Sequence, residues 1–172
     1  KRPQARMHAL CALEGHQGLN AELLSVSLHD VHPGVRRHAI RLCEPFLASD
    51  SRLGEALTHL VDDSDPHVRL QLACTLGEWK DPRSGEALGR IALASQQDPY
   101  IIGAVFSSVT KENLSRMAAV VMAADATAHP PAYLNEQILS LATTYGVNQV
   151  LVRNEIGMTF AAALKAFGKA LS

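Results

Sequence analysis

The sequence predicts an all-α protein whose fold class is a right-handed α–α superhelix (solenoid) of about four to five helical hairpins. Three observations lead to this prediction: a composition rich in helix-forming residues, apolar residues at helical spacing, and an internal repeat. Ala and Leu account for 25 and 23 of the 172 residues. No alternating run of Val, Ile or Tyr bounded by hairpin turns is visible, so strand signals are scarce.

Prolines mark the repeat. They are separated by 30, 33 and 33 residues, at Pro3, Pro33, Pro66 and Pro99. Apolar residues, most of them aliphatic or small, follow each proline at the second, sixth, seventh and tenth positions, and these offsets form one stripe of an α-helix. In the second repeat they are Val35, Ala39, Ile40 and Cys43. Each proline therefore predicts the start of a helix, which we call the second helix of a hairpin.

Helix caps and a further apolar pattern complete each predicted hairpin. His32, Asp65 and Asp98 stand just before three of the prolines. Asp at such a position accepts free backbone N–H groups of the first turn, while Pro gives up a donor that had no partner. Upstream apolar patterns each predict a first helix of about three turns. They are Leu19-Leu23-Leu24-Leu28, Leu53-Leu57-Leu60-Val61 and Ala87-Leu88-Ile91-Ala92. Because one such hairpin cannot bury its own apolar stripe, the hairpins are expected to stack.

Residues 1–172 are predicted to form a single solenoid domain, since no linker rich in Pro, Gly or Ser interrupts the pattern. The predicted repeats cover about residues 1–15 (partial), 19–47, 51–79, 84–109 and 112–145, followed by terminal helices over 147–172. The pattern loosens after residue 110, where Leu114 to Ala124 predicts a first helix and Pro131 to Tyr145 a second. The chain begins at Lys1 without an initiator Met or an apolar signal segment, so we expect a piece of a longer protein or a processed chain.

Two turn segments resemble the HEAT repeat, namely Asp30 to Ile40 and Asp63 to Arg69. The resemblance covers residues 3–109 well and the remainder weakly. It implies a ladder of hydrogen bonds between neighbouring repeats, made by the Asp of the turn and the Arg of the second helix. The matching residues are Asp30, Asp63, Arg6, Arg36 and Arg69. Because Gln96 and Ile102 replace the Asp and the Arg of the fourth repeat, the ladder is expected to stop there.

Three strings, at residues 6–15, 32–42 and 71–79, resemble the middle region of large planctomycete-type haem-binding proteins. Those chains resemble a β-propeller sugar-dehydrogenase domain followed by HEAT repeats and a c-type cytochrome with a CxxCH motif. The resemblance implies a parent dehydrogenase–cytochrome c of the periplasm or cell envelope, membrane-bound, with this chain as the spacer between redox domains. Neither the propeller nor CxxCH lies within the 172 residues, so no catalytic or haem-binding residue is carried over and no cofactor is expected here.

Net charge argues against a nucleic-acid partner, and the lengths of the apolar runs argue against insertion into a membrane. Sixteen basic and seventeen acidic side chains leave a net charge of −1, so the chain has no bulk cationic surface for nucleic acid. The longest apolar run, Met117 to Ala124, is well short of the roughly 20 residues of a membrane helix. The expected partner is protein, either other domains of the parent chain or a separate protein. Nucleic-acid binding along Arg36, Arg37 and Arg41 stays the weaker alternative.

Thiol chemistry is not expected from the cysteines. Cys11, Cys43 and Cys74 contain no CxxC pair, and each falls within an apolar helical pattern. We therefore predict that all three are buried as small hydrophobic residues. The single Trp, Trp79, is likewise predicted to pack at the joint between repeats.

No metal-binding or catalytic residues are predicted. His29, Asp30 and His32 form a turn cluster that could chelate a metal weakly, but their roles as solvated turn residues and caps are favoured. The cluster Asp62, Asp63 and Asp65 lacks the Gly and the distant Glu of a helix–loop–helix calcium site. No Gly-x-Ser-x-Gly or phosphate-binding Gly-rich loop is present.

Two functional hypotheses follow from these observations. The first is a non-catalytic scaffold or protein-interaction module that uses the concave face formed by the second helices. The alternative is a stand-alone HEAT enzyme or ligand-handling protein similar to phycobilin lyases or DNA glycosylases. That alternative needs convergent polar residues on the concave face, where the exposed offsets supply Met7, Arg37, Arg41 and Leu70 without an acid–base pair.

Overall fold

The computed structural model describes residues 2–128 and 132–146, and every regular element in this part of the chain is helical. The helices are α1 (Pro3–Gly15), α2 (Ala21–Leu28), α3 (Pro33–Cys43), α4 (Ser51–Thr58), α5 (Pro66–Leu76), α6 (Arg83–Ala94), α7 (Pro99–Ser107), α8 (Leu114–Ala128) and α9 (Ala132–Thr144). A 3-10 turn, Glu44–Phe46, extends α3. The all-α prediction is confirmed, while the terminal helices predicted over 147–172 lie outside the described residues.

The predicted helix starts are confirmed at α3, α5 and α7, each of which begins at its proline. The Asp65 carboxylate accepts the backbone N–H groups of the second and third residues after it, at 2.9 and 3.2 Å. Asp98 caps α7 in the same way, and Nδ1 of His32 accepts the N–H of Gly34 at 3.1 Å. These contacts satisfy donors that a helix start leaves open.

Two of the first helices are shorter than the apolar pattern predicts. The helices α2 and α4 each have eight residues, and both begin after a capping side chain, Asn20 or Asp50. Although α4 ends at Thr58, Val61 in the following turn is buried at 1% exposure. The apolar pattern therefore continues through the turn because the turn itself packs onto the core, which sequence spacing cannot distinguish from a third helical turn.

The helices stack in two rows. The second helices α1, α3, α5 and α7 contact one another in order, and the first helices α2, α4, α6 and α8 form the other row. Hairpin partners α2–α3, α4–α5 and α6–α7 join the rows, and α9 packs on α8. One continuous cluster of buried apolar side chains fills the space between the rows, including Leu28, Ile40, Leu57, Leu72 and Leu88. This stacking is the solenoid predicted from the repeat.

Helix α1 differs from the other second helices in how much of its apolar stripe is covered. The second and sixth positions after the proline are buried in α3, α5 and α7, as at Val35 and Ala39. The equivalent residues of α1, Ala5 and Ala9, are exposed. Within the described residues α1 has no first helix beside it, and this accounts for the difference.

Trp79 lies at the joint between neighbouring hairpins, and the packing role predicted for it is confirmed. Its side chain is 4% exposed, and the guanidinium of Arg83 lies 5.0 Å from the ring centroid. A Cβ placed on Gly54 of α4 would come within 2.1 Å of the indole, so only glycine allows this approach. No helix within residues 2–128 and 132–146 combines the length and the apolar character needed to cross a membrane.

Candidate functional site

Exposed positions on four neighbouring helices form the candidate interaction surface. The fourth, fifth and eighth residues after each proline share one side of their helix, because offsets of one and four residues lie on the same side of an α-helix. None of these twelve residues is buried. We call this surface the second-helix face; it consists of Met7, His8, Cys11, Arg37, His38, Arg41, Leu70, Gln71, Cys74, Gly103, Ala104 and Ser107.

The charges of the second-helix face are concentrated on α3. Nη2 of Arg41 donates to both carboxylate oxygens of Glu14 on α1, at 3.1 and 3.2 Å. Both side chains are more than two-fifths exposed, at 45% and 43%, so this ion pair is weak. Arg37 is exposed and has no acidic partner within the described part of the chain. Its guanidinium is therefore available to hydrogen-bond acceptors from outside.

The three arginines of α3 do not act together. Arg36 points into the stack and binds Asp63, whereas Arg41 binds Glu14. Of the three, Arg37 alone presents to solvent a cationic group without an acidic partner in the described residues. This separation removes the continuous cationic stripe on which the nucleic-acid alternative depended.

Cys11 and His38 meet across the α1–α3 contact. Sγ of Cys11 lies 3.2 Å from Nε2 of His38, a hydrogen-bond distance for sulfur. Burial lowers the pKa of His38 from 6.5, and the nearby guanidinium groups of Arg41 and Arg37 lower it further, against the opposing effect of Glu14. The imidazole is therefore uncharged at neutral pH. A thiol and a neutral imidazole are groups that nucleophilic enzymes pair, normally with a third group that orients the base.

The pair lies apart from the main surface grooves of the described residues. Neither Cys11 nor His38 lines the grooves beside α2, α7, the start of α3 or Arg69. Among the described residues the His38 imidazole has no hydrogen bond besides the one to Cys11, so it lacks the orienting partner typical of a catalytic base. As described, the pair is a surface contact between two helices.

The prediction that all three cysteines are buried is wrong for two of them. Cys43 is buried, and burial raises the pKa of its thiol to about 12. Cys11 and Cys74 are exposed. Both stand at the eighth position after a proline, which is polar in the intervening repeat, at Arg41. That equivalence, visible in the sequence, was the signal that could have placed them on the surface.

The predicted ladder between repeats is confirmed at two consecutive pairs. Nε and Nη2 of Arg6 donate to the two carboxylate oxygens of Asp30 at 2.6 and 2.7 Å. Arg36 binds Asp63 in the same bidentate way, at 2.7 and 2.8 Å, and its Nη1 donates to the backbone oxygen of Asp30 at 2.9 Å. Each Arg of a second helix thus binds the turn of the next hairpin, and Arg36 also binds its own. We call these contacts the Arg–Asp ladder.

The Arg–Asp ladder ends at the fourth repeat, as predicted. The residue that takes the place of the missing Asp there is Ser95, which the sequence analysis did not single out. Nη1 of Arg69 donates to the backbone oxygen of Asp63 at 2.6 Å, as in the preceding pair. Its Nε donates at 3.2 Å to the hydroxyl of Ser95, not to the side chain of Gln96. A neutral hydroxyl thereby replaces the carboxylate of the earlier turns.

In the two turn clusters, residues 29–32 and 62–65, each of the His and Asp side chains binds a different partner. In the first cluster Asp30 binds Arg6, while Nδ1 of His29 lies 2.9 Å from a backbone oxygen and His32 caps α3. In the second, Asp62 pairs with Arg90, Asp63 with Arg36, and Asp65 caps α5. Within the described residues no three side chains of His, Cys, Asp or Glu are grouped as a metal site would require.

Hairpins that stack in two rows and are joined by a side-chain ladder define an α-solenoid, a fold that offers an extended binding surface. A family model described as HEAT repeats matches residues 20–109, more than half of the 172-residue chain. The chain belongs to the HEAT-repeat family, whose repeats generally mediate protein interaction and scaffolding and are typically non-catalytic. Comparison with curated proteins and with solved structures gives no match. None of the comparisons points to the planctomycete-type haem-binding proteins.

Proposed function

We propose that this chain is a non-catalytic scaffold that binds a protein through the second-helix face. The observation that carries the proposal is the row of twelve exposed or half-exposed residues supplied by four packed helices. Their backbones are held by the buried core and by the Arg–Asp ladder, so the face is preorganised and loses little conformational entropy when a partner binds.

The composition of the face suits a protein partner. It mixes a cationic group at Arg37, apolar area at Met7 and Leu70, and neutral polar groups at Gln71 and Ser107. Protein interfaces combine apolar contact area with a few hydrogen-bonding anchors, among which Arg is enriched. A nucleic-acid partner would instead call for several unpaired cations in a row.

Site-specific photo-crosslinking of the full-length parent protein tests the proposal. A benzophenone side chain introduced at Leu70 is expected to give a crosslinked product in cells. The same group at Val26 is the matched control, because Val26 is apolar and 68% exposed but lies on α2, in the other row. Mass spectrometry of the products identifies the partner or parent domain. Crosslinks from Val26 alone, or equally from both positions, would contradict the assignment of the face.

A finer proposal concerns the parent chain. We infer from the strings at residues 6–15, 32–42 and 71–79 that the solenoid is a spacer between the dehydrogenase and cytochrome domains of a cell-envelope redox protein. A rigid stack suits this role because it fixes the separation of the domains at its two ends.

The visible absorption spectrum of the full-length parent, recorded before and after dithionite, tests this finer proposal. Reduced c-type haem bands are expected. A spectrum without haem bands would overturn the spacer role and leave the scaffold proposal to the crosslinking experiment.

A further inference from the structure

The Arg–Asp ladder contains two complete pairs that define what its arginines bind. In both, Nε and Nη2 of the Arg form a fork that holds the two oxygens of one carboxylate at 2.6 to 2.8 Å. The Arg36–Asp63 pair is largely shielded from solvent, with side chains 14% and 5% exposed. Charge-assisted bidentate contacts of this kind are short and geometrically selective for planar anions.

Arg69 has the same backbone anchor but lacks the carboxylate. Its Nη1 donates to the Asp63 backbone oxygen at 2.6 Å, which orients the guanidinium as in the preceding repeat. Its Nε reaches only the Ser95 hydroxyl, at 3.2 Å, and its Nη2 has no acceptor within the described part of the chain. The two donors that hold a carboxylate in the complete pairs are Nε and Nη2. In the half-buried guanidinium of Arg69, Nη2 therefore remains free to donate to a further acceptor.

Open space lies beside this fork. Arg69 lines a surface groove of about 440 Å³ together with Ser95, Gln96 and Gln97. In the two complete pairs the carboxylate comes from the third residue before the proline, Asp30 or Asp63, and Gln96 holds that position here. This turn thus keeps the Arg and its backbone anchor, while no carboxylate of the described residues binds the fork.

One carboxylate of the chain also borders the groove, and it does not block the site. Asp98 lines it but is used as the α7 cap, accepting two backbone N–H groups at 3.0 and 3.2 Å. Asp65 is the equivalent cap of α5, and Arg36 nevertheless binds Asp63 beside it. A capping Asp is therefore compatible with a second carboxylate on the neighbouring Arg.

We propose that Arg69 and Ser95 form a binding site for an external carboxylate group, which completes the third pair of the Arg–Asp ladder. The carboxylate oxygens accept from Nε and Nη2 of Arg69, and the Ser95 hydroxyl donates to one of them. The source is either a free small carboxylate or an acidic side chain of a bound protein. The site lies at the turns, on the edge of the stack, so it does not depend on the second-helix face.

Nuclear magnetic resonance of the ¹⁵N-labelled chain tests the site through the Nε–H signal of Arg69. Sodium acetate is titrated against sodium chloride at equal ionic strength and neutral pH. A second arm compares N-acetyl-Gly-Asp-Gly-amide with its Asn counterpart. We expect saturable shifts of the Arg69 Nε–H and the Ser95 amide with acetate, at a dissociation constant on the order of 10 mM. The Asp peptide shifts them as well if side-chain carboxylates fit the groove, whereas chloride and the Asn peptide do not.

Gln96→Asp is the decisive variant because it places a carboxylate where Asp30 and Asp63 stand in their repeats. It is expected to fill the fork internally, raise the melting temperature and abolish the acetate response of Arg69. Arg36, whose fork is occupied, and Arg37, which is exposed, are internal controls. The proposal is overturned if Arg69 shows no saturable shift with either carboxylate probe, if Arg37 shifts equally, or if Gln96→Asp leaves the acetate response intact.

Discussion

Glycines set the closest approaches between the hairpins. A Cβ on Gly85 of α6 would lie 1.9 Å from the backbone oxygen of Asn113, which precedes α8. That oxygen accepts the N–H of Met117, and the Asn113 side chain donates to Ser84 at 3.1 Å. Backbone held in this way cannot move aside for a methyl group, so the position depends on the absence of a side chain.

Gly85→Ala is expected to lower the free energy of unfolding by about 2–3 kcal/mol, because the added methyl group forces α6 and α8 apart. Urea unfolding followed by circular dichroism measures the change. Gly103→Ala is the matched control: it also lies within a helix, but a Cβ added there would meet no other atom within 4 Å. Ala there should stabilise the protein by about 0.5–1 kcal/mol. Equal losses in both variants would contradict the role given to the α6–α8 contact.

The three thiols should differ in reactivity. Cys43 is buried and its pKa is raised to about 12, so its thiol stays protonated and shielded. Cys74 is exposed, but partial burial of its thiol, and then the nearby Glu44, raise its pKa. Cys11 is exposed beside the His38 imidazole. Brief treatment of the folded protein with iodoacetamide at a pH of about 7.5 should alkylate Cys11 first and Cys43 last.

Peptide mass spectrometry measures the order of alkylation. Unfolding in urea is the control, because it should make the three rates similar. Alkylation of Cys43 in the folded protein as fast as that of Cys11 would disprove the assignment of Cys43 to the core.

At the scale of the helices, the Arg–Asp ladder joins each hairpin to the next. Burial by itself raises the pKa of Asp63, but the hydrogen bonds from Arg36 and from the Asp65 N–H outweigh it and hold the pKa below 3.8. Asp63 therefore contributes stability that is present above its unfolded-state pKa. This contribution is lost as the pH falls through the lower pKa of the folded state.

Asp63→Asn should cost about 2–3 kcal/mol at pH 7, because Arg36 is left largely buried without its anion. Urea unfolding at pH 7 and pH 3 measures this, and the difference between wild type and variant should shrink at the lower pH. Asp62→Asn is the neighbouring control: its pair with Arg90 is exposed on both sides, at 69% and 48%. We expect that control to change stability by less than about 0.5 kcal/mol. A loss as large as that of Asp63→Asn would refute the distinction.

At the scale of the whole molecule, each hairpin is stabilised by its packing against the neighbouring hairpins, as in other repeat proteins. The central helix α5 contacts second helices on both sides and buries Val68, Leu72 and Leu76 completely. Helix α1 has a second helix on one side only, and its Ala5 and Ala9 are exposed in the described part of the chain.

Backbone amides of α1 should therefore exchange with deuterium faster than those of α5, by at least about tenfold. Hydrogen-exchange mass spectrometry of this chain, resolved by peptide, measures both helices in one sample, so α5 serves as the internal control. Protection of α1 equal to that of α5 would mean that its exposed stripe is covered in solution.

Much of the helical architecture is predictable from local chemistry. Pro preceded by a capping residue marks the starts of α3, α5 and α7, because both effects act within a few residues of the chain. The pairing of Arg36 with Asp63 is predictable as well, but only through the resemblance to the HEAT repeat, because these residues match its second-helix Arg and its turn Asp. The residues of the second-helix face are harder to predict. The apolar pattern assigns Cys11 to the core, but Cys11 is exposed, because a small apolar residue can occupy either a buried or an exposed helix position.

The pattern of residues along the chain is sufficient to specify a stack of helical hairpins, because a repeated apolar stripe that one hairpin cannot cover has to be covered by its neighbour. Apart from the two Arg–Asp pairs, the side chains that meet across the repeats are instead a property of the folded stack. Cys11 meets His38, Ser95 takes the place of the missing Asp beside Arg69, and Asn113 closes over Gly85. Such contacts depend on how far one hairpin is shifted and turned against the next, and that geometry results from the packing of the whole core and not from any local pattern.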